Sequence, residues 1–74
     1  MAEILQVGTI QEILDAALKM RVNTKRQFNL GRDLTDDEGI WLRNNIMFHH
    51  PRTPVTTVST DQGIVTVELG NAIP

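Results

Sequence analysis

The sequence predicts a small α+β single domain, with two main helices followed by a C-terminal β-hairpin. Two Thr-x-x-Glu capping boxes, Thr9 with Glu12 and Thr35 with Glu38, each open a run with apolar residues at helical spacing. After Pro51 the composition changes to β-branched residues, VTTVST and IVTVEL, separated by Asp61-Gln62-Gly63. The chain has 74 residues, 41% of them hydrophobic, which suits one compact domain near the lower size limit for folding without a staple.

In chain order, Glu3 to Val7 (EILQV) is short and apolar, and Gly8 breaks it. It reads as a short strand or as a lead-in packed against the next helix. A helix over about 10–22 follows. Its wheel is clean: Ile10, Ile13, Leu14, Ala17, Leu18 and Met20 form one face. Glu12, Asp15 and Lys19 form the other, with Asp15 and Lys19 at i, i+4 spacing for an ion pair. Lys25 to Leu30 (KRQFNL) predicts a short helix at 24–30, anchored by Phe28 and Leu30 and ended by Gly31 in the left-handed conformation. A loop with the same two anchors is the alternative.

The stretch Leu34 to Pro51 predicts the central helix, over about 36–48. Thr35 and Glu38 cap it, Asp36 and Asp37 complement its dipole, and Pro51 disfavours helical geometry at His50. Gly39 costs it about 1 kcal/mol relative to Ala. At about 100° per residue, Ile40, Trp41, Met47 and Phe48 share one arc with Asn44 in its middle. Leu42 and Ile46 lie nearly opposite. A helix with two apolar sides is either sandwiched within its own domain or keeps one face for a partner.

The hairpin strands are expected at about 55–60 and 64–69, with Val65, Val67 and Leu69 facing the core. An isolated hairpin is marginal in water, and Ile4 to Val7 is the one candidate for a third strand. Gly70 to Pro74 reads as a loose tail that Ile73 could tack down.

Composition narrows the function classes. There is no Cys and no Tyr, and Ser59 is the only Ser, so no nucleophile with a spaced base is available and no thiolate metal site can form. The neighbouring His49 and His50 are accounted for by a helix C-terminus. No cofactor is expected, and the chain reads as non-enzymatic. No apolar run approaches the roughly 20 residues that span a bilayer, and the N-terminus lacks the basic and apolar regions of a signal peptide. A cytoplasmic protein is therefore expected. The net charge of −2 is unevenly spread: Lys19, Arg21, Lys25, Arg26 and Arg32 come without an intervening acid, and Asp33, Asp36, Asp37 and Glu38 follow. A nucleic-acid binder with a broad footprint would be more positive.

The predicted order of helix, short helix, helix and hairpin resembles that of a small winged helix-turn-helix. The likeness is in order only. In that family the third helix enters the major groove by its N-terminal residues, which here are Asp36, Asp37 and Glu38. The turn Asp61-Gln62-Gly63 also lacks the basic residue of a DNA-contacting wing. The resemblance therefore implies a scaffold whose groove-reading face is lost or turned to protein contacts.

Together these features lead to the expectation of a small non-catalytic regulator that docks on a larger protein complex. A phage-type regulator of host RNA polymerase is the natural example. Lys25, Arg26, Arg32 and Arg43 are the expected polar contacts, with Leu42 and Ile46 as apolar anchors. Nucleic-acid binding through the basic segment 19–32 is the alternative, and self-association through the central helix is the third.

Overall fold

The computed structural model describes residues 3–72. The chain runs β1 (Ile4–Gln6), α1 (Ile10–Ala17), β2 (Thr24–Asn29), α2 (Asp36–His49), β3 (Pro54–Asp61) and β4 (Ile64–Ala72). The strands form one sheet in the order β1-β2-β4-β3. β1 and β2 are parallel neighbours joined through α1, and β4 lies antiparallel to both β2 and β3.

Register assigns the two faces of the sheet. Phe28 lies opposite both Leu5 and Val65, and Val67 lies opposite both Arg26 and Val58. Because side chains alternate along a strand, Phe28, Val65, Val67 and Leu69 share one face. All four are fully buried, in one cluster with Ile13, Leu14, Ala17 and Met20 from the α1 region and Leu42 and Ile46 from α2. Both helices therefore lie on that face. The other face carries the row Ile4, Gln27, Thr66 and Ser59 and the row Lys25, Glu68 and Thr57. Among the described residues it has no helix over it, and its polar composition suits that exposure.

The β-α-β-α-β-β order agrees with the predicted α+β class, and four details differ. Residues 24–29 are a central strand, not a helix. Their backbone bonds to β1 on one side and β4 on the other, which outweighs the weak local helix signal. Gly31 does adopt a left-handed φ of 84°, but it ends a strand. This removes the helix-turn-helix pair on which the winged-helix comparison depends. The first helix is shorter than 10–22. Past Ala17 the backbone tightens into i→i+3 bonds, from Lys19 N–H to the Ala16 carbonyl and from Met20 N–H to the Ala17 carbonyl. Asn23, at φ 63°, then turns the chain into β2. Asp15 consequently accepts from the Gln11 amide, and the expected pair with Lys19 does not form. Residues 70–72 continue β4 and are not a loose tail; the role suggested for Ile73 lies outside the described residues. Finally, the third strand joins β2, not the hairpin.

The segment between β2 and α2 is pinned to the hairpin turn. Asp33 Oδ1 accepts from the Gly63 N–H at 2.8 Å and from the Thr60 hydroxyl at 3.1 Å, while that hydroxyl accepts from the Leu34 N–H. Leu30 and Gly31 N–H groups both donate to the Gly63 carbonyl. Gly63 has φ 82°, and a Cβ there would meet the Gly31 carbonyl carbon at 3.1 Å and the Arg32 nitrogen at 3.2 Å. Only glycine meets both demands without strain. No helix of the described residues is long and apolar enough to cross a membrane.

Candidate protein-binding face

α2 is fixed at its start by a fully formed capping box. The Thr35 hydroxyl accepts from Glu38 N–H, and Glu38 Oε1 accepts from Thr35 N–H. Arg32 closes the arrangement with a bidentate pair to Glu38, both N···O distances being 2.8 Å. The Arg32 guanidinium, with the Thr35 N–H as second donor, holds the Glu38 carboxyl down at about 2. The same pairing raises Arg32. This is the one ion pair among the described residues.

At the other end His50 acts as a staple. Its Nε2 lies 2.7 Å from the Met20 carbonyl, which can only accept, so Nε2 carries the hydrogen. Its Nδ1 accepts from Arg52 N–H at 3.1 Å. The ring is thereby buried between the exit of α1 and the α2–β3 connector. His49, its neighbour, is exposed. Among the described residues no three metal-ligating side chains converge.

Held at both ends, α2 presents two different apolar faces. Leu42 and Ile46 are fully buried against the sheet. They are core residues and cannot be the surface anchors that the sequence suggested. The reason is geometric: α2 packs over β3 and against α1, so one of its two apolar sides is turned into the shared core. The opposite side is left to solvent. Phe48 is 79% exposed, Ile40 53% and Trp41 39%. Met47 and Asn44 between them are half-buried, and the Asn45 side chain donates to the Trp41 carbonyl. This arrangement spans positions i, i+1, i+4, i+7 and i+8, the pattern with which a helix fills a groove. The signal was present in the sequence: Asn44 and Asp37 lie on the same arc as Ile40 and Phe48, and polar residues mark the wet side.

The predicted polar contacts divide into separate places. Lys25 and Arg26 meet Lys19 and Arg21 around a groove of about 290 Å³ at the end of α1, above Ala16 and Met20. Arg21 also lines the adjoining cleft with Arg52. Arg32 is engaged with Glu38. Arg43 lines a different groove, of about 440 Å³, beside Ile40 and Val58 along β3. The six predicted site residues are thus not one surface. The molecule is instead polarised along α2, whose 14 residues span about 21 Å. Asp33, Asp36 and Asp37 stand at its N-terminal end, and the cations gather by its C-terminal end, where the helix dipole favours them.

No family model, curated protein or solved structure matches this chain.

Proposed function

We propose that this chain is a small, non-catalytic regulator that binds a larger protein through the outer face of α2, with Ile40, Trp41 and Phe48 as anchors. The observation that carries the reading is the exposure of three large apolar side chains on one side of a helix whose opposite side is already satisfied by the core. Large exposed apolar patches, especially those rimmed by polar residues, mark interaction sites. Aromatic side chains supply most of the energy at such sites, each burying about 150–250 Å². Host transcription machinery is the partner class tested first.

The experiment is a tagged capture from cell lysate, in nuclease-treated and untreated halves, with the wild-type chain beside an Ile40→Ser/Phe48→Ser variant. A discrete multi-subunit complex that survives nuclease and is lost with the variant supports the reading; RNA polymerase would announce itself by its set of subunits. Proteins that vanish with nuclease would favour the competing reading, nucleic acid bound through segment 19–32. Two features count against that alternative: Arg32 is committed to Glu38, and the remaining cations of the segment surround partly apolar clefts. Recovery of the bait alone, with a solution mass that rises with concentration and falls on Phe48→Ser, would indicate self-association through α2.

A further inference from the structure

The cleft at the C-terminal end of α2 has a composition that names the chemistry of its occupant. Its volume is about 450 Å³, in the range of ligand sites. Leu18, Met20, Val22 and Pro51 give it an apolar lining, and Arg21 and Arg52 stand exposed at its rim. Neither arginine has a carboxylate partner among the described residues. The groove that carries Lys19, Lys25 and Arg26 shares Met20 and Arg21 with this cleft, so the cationic rim continues on that side. His50 ties the two walls together through Met20 and Arg52, which fixes the shape of the cleft before anything binds. Preorganisation of this kind lowers the ordering cost of association.

We propose that this cleft receives an acidic segment of the partner protein, with one apolar side chain seated on Leu18, Met20, Val22 and Pro51 and flanking carboxylates on Arg21 and Arg52. The inference rests on the protein-binding reading above and names what the partner brings to it. In the chain, Phe48 at the end of α2's exposed face stands two residues before His50, which lines the cleft. Complementary charge draws the acidic segment in, since the rim is positive and the acidic cluster Asp33, Asp36 and Asp37 stands at the far end of α2. Bidentate Arg–carboxylate pairing then fixes the register of the segment. A nucleic acid would satisfy the rim alone. It has no aliphatic side chain for the apolar lining, and no exposed aromatic ring borders either cleft for a base to stack on.

The test is an NMR titration of the ¹⁵N-labelled full chain at about 100 mM salt, where long-range attraction is already screened. Three probes are compared: the blocked peptide EEDLLDEE, its counterpart EEDSSDEE, and a thymidine oligonucleotide. The leucine peptide is expected to shift the amides of Leu18, Met20, Arg21, Val22 and Arg52, and to bind about tenfold or more tightly than either other probe. Arg21→Glu with Arg52→Glu should reduce that affinity about tenfold or more while the rest of the spectrum stays in place, both side chains being exposed. Equal binding of all three probes would reduce the cleft to a general polyanion surface and overturn the inference, as would shifts confined to another part of the molecule or no shifts at all. Each of those results leaves capture through Phe48 untouched, because that is read with a different variant and a different partner. A partner captured through Phe48 but indifferent to the double Arg variant would likewise overturn the cleft assignment alone.

Discussion

Leu42→Ala and Phe48→Ala, made on the same helix six residues apart, should have sharply different effects on stability. Leu42 is fully buried between α2 and the sheet, so truncation removes its transfer energy and leaves a cavity, a loss of about 2–5 kcal/mol. A domain of 74 residues at about 0.05–0.15 kcal/mol per residue is stable by about 4–11 kcal/mol in total. The variant therefore forfeits a large share of what holds the fold, and its melting temperature should drop by about 8–40 °C. Phe48 is 79% exposed, so only about a fifth of a phenylalanine's burial energy is at stake. That fraction of about 1.5–3 kcal/mol is about 0.3–0.6 kcal/mol, and the better helix propensity of alanine offsets much of it. Urea unfolding followed by far-UV circular dichroism measures both, and Trp41, the only tryptophan, gives an independent fluorescence signal. Equal losses for the two variants, or a tolerated Leu42→Ala, would refute the assignment of α2's inner and outer faces.

Two glycines should respond with opposite sign. Gly39→Ala places a methyl group in open space within a helix and should stabilise by about 0.5–1 kcal/mol, whereas Gly63→Ala combines a left-handed φ with contacts of 3.1–3.3 Å to the Gly31–Arg32 backbone and should destabilise by more than about 1 kcal/mol. Thermal melts of the pair against wild type check both. Thr35→Ala removes the hydroxyl that accepts from Glu38 N–H and should lower stability by about 1 kcal/mol in chemical denaturation, with Thr35→Ser recovering most of it. The Glu38 carboxyl lies below its ordinary value, at about 2, so its contribution is fully present above the unfolded value of about 4.5 and is lost as pH falls from there toward 2. Arg32→Gln should flatten the dependence of melting temperature on pH across that window, and an unchanged slope would show that the pair contributes nothing measurable.

Local signals were decisive where they were strong. The capping-box spacings at Thr9 and Thr35 located both helix starts, although at the first the Glu12 carboxylate accepts from Gly8 N–H and not from Thr9, and Pro51 stopped the second helix within a residue of its end at His49. The hairpin was legible because β-branched runs flank a glycine turn and Val65, Val67 and Leu69 alternate along the second of them. β2 was not, because its inward positions are Thr24, Arg26 and Phe28, of which Phe28 alone is apolar and buried. A central strand supported by neighbours on both sides needs no alternation of its own, so period-2 reading passed over it. The choice between the two faces of α2 was marked locally only by Asn44 and Asp37 on the arc of Ile40 and Phe48, and the sheet beneath Leu42 and Ile46 decides it. The meeting of Arg21 with Arg52 at one cleft depends on the same fold-level geometry, through His50.

The most direct test of docking through α2 is photo-crosslinking in lysate with a benzophenone amino acid at single positions. Substitution at Phe48 and at Ile40 should each yield the same discrete adduct, resistant to nuclease, while substitution at Thr57 on the open sheet face should yield none. An adduct formed from Thr57 but not from Phe48, or loss of the Phe48 adduct on nuclease treatment, would contradict the assignment of α2's outer face as the protein-binding surface.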